Sequence, residues 1–447
     1  MGWAEDTGCT PRPPIRPRPA SERRVVTVIF LGLLLDLLAF TLLLPLLPGL
    51  LESHGRQQDP LYGSWQRGVD WFATAIGMPA EKRYNSVLFG GLIGSAFSLL
   101  QFFSAPLTGA ASDCLGRRPM MLLSLTGLAI SYAVWAASRS FTAFLASRVI
   151  GGISKGNVSL STAIVADLGS PPTRSQGMAV IGVAFSLAFT VGPMLGAFLS
   201  VEMVPWISFL FAVSDILFIF FFLPETLPQE KRLLPTVRIH LLKTDSEAYA
   251  DWVSSTSSTS SCSRVWSTHS ASLHTSASSS AGNWWPRGLG AHPPPPSLQQ
   301  GKMFFFIGLT MATIQGTYAR RISPGKEVAA VKRALLLLVP AFLFIGWGHS
   351  LPMLGLGLLL YSFAAAVVVP GLSTVVSSYG SPGQKGTIMG ILRSLGALGR
   401  AVGPMVAASV YWLAGAQVCF TVCSGLFLLP FLLLRKLRHP AQTFKEE

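Results

Sequence analysis

Long apolar runs, each of about 20 residues, limit this chain to one class of fold. Segments such as 25–47 and 415–434 carry almost no charge, and a helix needs about 20 apolar residues to cross a bilayer. Because lipid offers the backbone no hydrogen-bond partner, an apolar segment of this length must be helical. Charged residues make up only 12% of the chain, against about 25% in soluble domains. We therefore predict an all-α membrane protein.

Hydropathy predicts eleven spans, joined mostly by short connections. The exceptions are two long segments, 51–86 and 224–302. The predicted spans are 25–50, 87–108, 119–138, 141–164, 177–200, 204–223, 303–319, 334–348, 352–376, 387–413 and 416–434.

The net charge of +14 is explained by topology rather than by nucleic-acid binding. Basic residues concentrate in alternate loops, which the positive-inside rule assigns to the cytosol. With the N-terminus inside, this holds through the first six spans. The basic residues on that side are Arg12, Arg16, Arg18, Arg23, Arg24, Arg117, Arg118, Arg174, Lys231 and Arg232.

The second half breaks this alternation. Its basic loops, at Arg320–Arg321 and at Lys385, lie inside only if one more span stands between 224 and 302. That segment instead holds a Ser/Thr-rich tract followed by proline runs, a composition that is typical of disorder. Either a replaced segment has removed a seventh span, or a native cytosolic loop contains a marginal one.

An internal repeat also predicts twelve spans. The residues Gly169-Ser170-Pro171 and Gly192-Pro193-Met194 recur 211 positions later as Gly380-Ser381-Pro382 and Gly403-Pro404-Met405. Gly94 and Gln101 recur as Gly308 and Gln315, 214 positions later. Duplication of a six-span half explains both offsets.

The most specific motif lies between spans two and three. It comprises Gly109, Asp113, Gly116, Arg117 and Arg118 in the pattern G-x-x-x-D-x-x-G-R-R. Glycines permit a tight turn between helix ends. Asp113 can cap the following helix or accept hydrogen bonds from a neighbouring helix N-terminus, and Arg117 can pair across the halves. An ordinary basic loop would explain the arginines but not this spacing.

With this motif the chain resembles the major facilitator superfamily. Its drug and tetracycline antiporter branch is resembled by four elements: Leu35-Asp36 followed by Pro45–Leu50, Arg148-x-x-x-Gly152, Gly192-Pro193-x-x-Gly196 and Leu223-Pro224-Glu225-Thr226. They are closest to tetracycline-transporter-like animal members regarded as organic-anion carriers. The resemblance implies two pseudo-symmetric six-helix halves that work by alternating access, with Asp113, Gly116 and Arg117 gating the inner side.

The chain departs from that branch at three places. Cys114 stands where the motif usually has a basic residue, and Ala111 where it has leucine. The span at 334–348, which is the ninth when the missing seventh is counted, carries no acidic residue, whereas the resemblance implies one in tetracycline exporters. This last departure argues against tetracycline as the cargo and against simple proton antiport.

Proline and glycine also predict helix kinks at symmetric positions. Proline removes one backbone hydrogen bond, and glycine lets helices approach closely. The predicted kink residues are Gly192, Pro193, Gly196, Gly403 and Pro404.

Ionisable residues inside spans give the candidate pathway, because each costs at least about 2.5 kcal/mol to insert. Arg148 and Lys155 are seven residues apart and are expected to share one face, as are Arg393 and Arg400. Four cations against two acids favour an anionic or zwitterionic cargo. Alternatively, these groups pair with one another or extend to the interface, as Arg393 near a span end could. The predicted substrate or ion pathway is Asp36, Arg148, Lys155, Asp215, Arg393 and Arg400.

These observations predict a multi-pass secondary transporter of small organic anions, in the plasma membrane or an internal membrane. The alternative is a non-transporting or unstable isoform or scaffold that lacks the seventh span. Predicted partners are an organic anion or zwitterion, membrane lipid, and a coupling proton or counter-anion, with a monomer as the functional unit. No enzyme, cofactor, metal or nucleic acid is expected. The predicted regions are a tail at 1–24, a six-helix half at 25–223, a linker at 224–302, a second half at 303–434 and a tail at 435–447.

Overall fold

The computed structural model describes residues 19–43, 59–78, 82–138, 140–232, 296–323, 325–348, 350–378 and 382–436. In these ranges the chain forms helices and turns, and no strand. The predicted all-α class is confirmed.

In the described residues of the first half the chain forms eight helices. They are α1 (Pro19–Thr41), α2 (Pro60–Ala75), α3 (Lys82–Leu115), α4 (Arg117–Ala137), α5 (Phe141–Ser154), α6 (Asn157–Ala166), α7 (Pro171–Phe198) and α8 (Met203–Phe222). The second half contains α9 (Pro296–Thr317), α10 (Glu327–Trp347), α11 (Leu351–Ser377), α12 (Lys385–Leu426) and α13 (Leu428–Lys436).

Nine helical stretches in the described ranges are long and apolar enough to cross a membrane. The last of them, Lys385–Arg435, holds two predicted spans, because Gly415 leaves the helical region with φ 86° and ψ 165°. Predicted span 303–319 coincides with most of α9. Large apolar side chains such as Phe198, Phe221 and Leu107 remain more than 70% exposed, which suits a surface in contact with lipid.

The packing of the helices follows the predicted duplication. Helix α3 packs along α12, and α9 packs along α7. The offset of 214 relates α3 to α9, and the offset of 211 relates α7 to α12. Each half therefore contributes the same two helices to the contact with the other, which gives the two-half architecture of the fold.

Because α9 matches the second span of the first half, the counterpart of α1 falls before residue 296. Residues 233–295 lie outside the described residues, so the missing seventh span stays a prediction. The tails before 19 and after 436, and the segment 44–58 that contains the Pro45–Leu50 element, also lie outside them. The predicted domain boundaries remain untested.

One helix prediction was wrong in detail. Predicted span four, 141–164, is two helices that break at Lys155, where φ is −74° and ψ is 53°. Lys155 and Arg148 therefore do not lie on one continuous helical face. The break exposes the Lys155 carbonyl, which accepts a hydrogen bond from Gln101 Nε2 at 3.1 Å.

Candidate transport site

The predicted gating motif forms a buried polar cluster at one end of the bundle. We call Asp113, Arg117, Asp167, Gly386 and Thr387 the Asp113 cluster. The Arg117 guanidinium, fully buried, bonds Asp113 Oδ1 at 2.7 Å and Asp167 Oδ2 at 2.8 Å. A buried arginine with two carboxylates and further hydrogen-bond partners satisfies the condition under which buried charge is tolerated.

Within this cluster, Asp113 is the residue that joins the two halves. Its carboxylate accepts hydrogen bonds from Gly386 N at 2.8 Å, Thr387 N at 2.7 Å and Thr387 Oγ1 at 2.6 Å. Gly386 and Thr387 begin α12, so the carboxylate also faces the positive end of that helix. The alternative in which Asp113 accepts from a neighbouring helix N-terminus is the one observed.

Arg117 differs from the prediction that it pairs across the halves. Both of its carboxylate partners belong to the first half, where Asp113 ends α3 and Asp167 follows α6. Arg117 thus orients Asp113 and ties three first-half helices together. Its motif neighbour Arg118 donates to the carbonyl of Phe220 in α8 at 2.6 Å, also within the first half.

Glycines bring α3 and α12 into close contact beside the cluster. A Cβ atom at Gly109 would overlap the carbonyl oxygen of Gly386, and one at Gly390 would lie 2.6 Å from the carbonyl oxygen of Ala105. Ser394 Oγ also donates to the carbonyl of Phe102 at 2.7 Å. The contact between the halves at this end is therefore backbone against backbone.

Gly116 makes the turn between α3 and α4 with φ 109°, a conformation that glycine adopts readily and other residues do not. A Cβ atom there would lie 2.7 Å from Glu225 Oε2. Glu225 accepts from the backbone N–H groups of Arg117 at 3.0 Å and Arg118 at 3.1 Å. Glu225, in the segment that follows α8, therefore caps the N-terminus of α4. The sequence had identified this segment only as the end of span six, so this role was missed.

Asp167 is a second functional residue that sequence reasoning missed. Burial raises the pKa of its carboxyl above the ordinary value, and the Arg117 guanidinium opposes that shift. Its only sequence signal is an acidic residue at the end of an otherwise apolar span.

A second polar arrangement lies near the middle of the bundle. We call Asp36, Lys155, Gln101 and Arg400 the central chain. Lys155 Nζ bonds Asp36 Oδ2 at 2.7 Å, and both side chains are at least 95% buried. The ammonium also lies 5.0 Å from the centre of the Phe40 ring, a cation–π distance.

Gln101 carries the central chain across to the second half. Its amide nitrogen donates to the Lys155 carbonyl, and its amide oxygen accepts from Arg400 Nη2 of α12. The repeat partner Gln315 plays a related part at the other contact, where its oxygen accepts from Ser186 of α7 at 2.8 Å. The repeated glutamines thus mark the two contacts between the halves.

The remaining candidate residues divide into two environments. Arg393 of α12 lies 5.6 Å above the Phe185 ring of α7, so it reaches across the halves rather than extending to an end. Arg148 lies 4.9 Å from the Trp135 ring and 5.4 Å from the Phe144 ring. All of these Arg148 neighbours belong to the first half.

Asp215 of α8 is 1% exposed and lies inside the first half, beside Gly32 of α1 and Asn157 of α6. Among the residues that the structure describes, no three potential ligands gather as a metal site would require.

At the predicted kinks, α7 and α12 continue through Pro193 and Pro404. A Cβ atom at Gly192 would overlap Thr41 Oγ1 of α1, and Thr41 donates to the Ala188 carbonyl at 3.0 Å. Gly192 therefore permits close packing of α1 on α7. Bending at Gly196 and Gly403 stays a prediction.

Comparison with known proteins agrees with this geometry. The sequence pattern described as "Major Facilitator Superfamily" matches residues 29–404. The chain belongs to the major facilitator superfamily. It is therefore a multi-pass membrane transporter of small molecules, as the sequence motifs predicted.

Individual members of the superfamily match over the whole chain. "Major facilitator superfamily domain-containing protein 10" of Mus musculus is 78% identical over 460 residues, and its Homo sapiens namesake 71% over 461, with 100% of each chain covered. "Tetracycline resistance protein, class D" of Salmonella ordonez is 25% identical over 92% of this chain and 97% of its own.

A solved structure gives the same fold. The "human organic anion transporter MFSD10 (TETRAN)" has a TM-score of 0.85 and 68% identity. The match covers 94% of this chain and 100% of that one. The predicted resemblance to tetracycline-transporter-like members is confirmed.

Proposed function

We propose that this chain is a secondary carrier of small organic anions that binds its cargo between the two halves, at the central chain. The observation that carries the proposal is that cations stand at the contacts between the halves. Arg400 of α12 bonds Gln101 of α3, which in turn bonds the Lys155 carbonyl, and Arg393 of α12 lies over the Phe185 ring of α7. With Asp36 they present three positive charges and one negative charge. Midway between the halves is also where substrate sites of such transporters lie.

The contacts of these cations suit an incoming carboxylate or other anion. Arg400 donates to the neutral amide of Gln101, so an anion that replaced this amide would form a charge-assisted and stronger hydrogen bond. Lys155 is held by Asp36, and an anion would compete with that carboxylate for the ammonium. The cargo would thus act on the contact between the halves.

Aromatic rings beside the same cations favour an organic anion over an inorganic one. Phe40 lies beside Lys155, and Phe185 beside Arg393. Such rings can pack against the apolar body of a cargo while the cations hold its charge, as in other ligand sites. The 68% identical human protein is described as an organic anion transporter, which supports the same class here.

Alternating access supplies the mechanism. The Asp113 cluster holds the halves together at one end, so opening there requires Asp113 to release Gly386 and Thr387. Cargo bound at the central chain touches both halves and biases this equilibrium by its differential affinity for the two states.

We also propose a cytosolic N-terminus and a functional monomer. The residues that would line the path are Asp36, Lys155, Arg393 and Arg400. Arg148 would instead stabilise the first half through its contacts with Trp135 and Phe144.

Counterflow of a labelled aromatic carboxylate in proteoliposomes tests the proposal. Arg400 is half-buried, and losing one partner of a fully buried charge pair costs about 2–5 kcal/mol. Even the lower part of that range corresponds to a tenfold effect, so Arg400→Gln should reduce exchange by at least about tenfold. Arg435→Gln, the same change at an exposed residue of α13, should leave exchange unchanged.

Wild-type protein that is monodisperse but exchanges no anion would favour the alternative of a non-transporting isoform or scaffold. Equal exchange by wild type and Arg400→Gln would remove the site from the central chain.

A further inference from the structure

Asp215 forms a site of its own, separate from the central chain. It lies on α8 and is 1% exposed. It faces a small cavity of about 10 Å³ lined by residues of α1, α4, α6 and α8. None of these helices belongs to the second half. A role as a direct cargo contact between the halves therefore does not follow from its position.

Two buried acceptor oxygens at this cavity have no hydrogen-bond donor among the residues that the structure describes. They are Asp215 Oδ1 and Asn157 Oδ1, and Asn157 is only 2% exposed. The nearby Ser161 hydroxyl donates instead to the Asn157 backbone carbonyl at 2.8 Å. Buried oxygens of this kind are costly unless a donor or a positive charge satisfies them.

Gly32 of α1 leaves room beside the Asp215 carboxyl group. A Cβ atom there would come within 2.9 Å of Asp215 Oδ1. The helix packing therefore leaves the carboxyl oxygen free to take a partner rather than covering it with a methyl group.

A bound proton satisfies this site better than a water molecule or a metal cation does. About 10 Å³ is at the lower limit for one water molecule, and water would leave the negative charge of Asp215 among the apolar side chains of Ile29, Leu125 and Ile219. A hard metal cation such as Ca²⁺ takes about 6–8 oxygen ligands, more than the side-chain oxygens of Asp215, Asn157 and Ser161 supply. A proton on Asp215 removes the charge and supplies the missing donor together.

The charged groups nearby favour the same conclusion. Asp36 lies one turn beyond Gly32 on α1, and Lys155 stands between α5 and α6. Lys155 is already bonded to Asp36 at 2.7 Å. On α4 the facing residues are Met121 and Leu125, with the neutral Tyr132 about two turns farther. An ionised Asp215 would be a second carboxylate sharing one ammonium.

We propose that Asp215 is a proton-binding site that is occupied in this conformation, with its carboxyl O–H donating to Asn157 Oδ1. When the halves rock and the cavity opens to water, the O–H bond breaks. The electron pair stays on the carboxylate, and the proton passes to water. The coupling of this release to cargo movement rests on the proposed function, whereas the proton site itself does not.

Infrared spectroscopy of the purified protein tests the site directly. A carboxylic acid in a dry cavity gives a C=O band separate from those of carboxylates and amides. We expect this band at neutral pH in wild type, its loss in Asp215→Asn, and a shift in Asn157→Leu, which removes the hydrogen-bond acceptor. Ser214→Ala, at the exposed neighbouring position on α8, should leave the band in place.

Three outcomes would overturn the proposal. One is a band that survives in Asp215→Asn, which would assign it to another acid. Another is the absence of the band in wild type, as an ionised Asp215 that accepts from the Asn157 amide N–H would produce. The last is a carboxylate band that responds to sodium, which would make the site a cation site.

Transport assays distinguish the proton site at Asp215 from the proposed anion carrier. A pH difference of one unit should drive about tenfold accumulation of labelled carboxylate when one proton is coupled to each cargo molecule, and Asp215→Asn should abolish that accumulation. Equal accumulation by the variant would refute the coupling. If wild type exchanges no anion while the Asp215 band is present, the proposed function fails and the proton site stands.

Discussion

Asp113→Asn weakens the docking of the two halves, while Asp167 still pairs with Arg117 inside the first half. The Asp113 carboxylate accepts three hydrogen bonds from Gly386 and Thr387, at 2.6–2.8 Å. The asparagine side chain keeps one acceptor oxygen, but an NH₂ group replaces the other oxygen. That NH₂ group would face the hydrogen-bond donors of Gly386 and Thr387. Hydrogen bonds to charged groups contribute about 1.5–3 kcal/mol each, so losing one or two should weaken the closed end by about 2–5 kcal/mol. Since about 1.4 kcal/mol is a factor of ten, the ratio of closed to open states should fall at least about 30-fold.

Spin-label distances would measure this shift. Leu115 ends α3 in the first half, and Ser378 follows α11 in the second; both are exposed. Labels at these positions, in a variant whose five cysteines are replaced, should give one short distance. Asp113→Asn should add a longer one, whereas Asp70→Asn, an equivalent change on the exposed face of α2, should not. An unchanged distribution in Asp113→Asn would refute the idea that this carboxylate holds the halves together.

Two further predictions concern single turns. Gly116→Ala should lower stability by about 1–3 kcal/mol, because φ is 109° there; thermal unfolding would show this against Gly91→Ala, whose Cβ meets no atom within 4 Å. For Asp59, desolvation acts to raise the pKa, but hydrogen bonds from Thr142 and Leu61 outweigh it and hold the pKa below its ordinary value. Stability from this cap is therefore present above the unfolded pKa and is lost as pH falls through the folded one. Hydrogen exchange of the Thr142 amide should show that loss, and Asp59→Asn should make protection independent of pH.

The sequence predicted which segments form long apolar helices better than which way their side chains face. Hydropathy located the eleven spans, and the offsets of 211 and 214 located the contacts between the halves. Whether a residue such as Arg148 faces the other half or Trp135 in its own depends on which helices are neighbours, and periodicity along one helix does not contain that information. For the same reason the sequence did not predict the central chain, whose residues come from three helices and from the break between α5 and α6.

Local breaks and long-range caps were the other missed features. Lys155 ends α5 in the middle of an apolar run, where hydropathy alone indicates a continuous helix. Asp167 and Glu225 contact Arg117 from 50 and 108 positions away. Their carboxylates matter through packing that no short motif describes. The glycines of the gating motif were predictable, because the turn at Gly116 needs a positive φ.

The most direct test of the account is binding of an aromatic carboxylate and its uncharged amide analogue to the purified protein by titration calorimetry. If cations between the halves hold an anionic cargo, wild type should bind the carboxylate at least about tenfold more tightly than the amide, and Arg400→Gln should abolish most of that preference. Equal affinity for the two compounds, or a preference that survives in Arg400→Gln, would contradict the central claim that an anion is recognised at Lys155, Gln101 and Arg400.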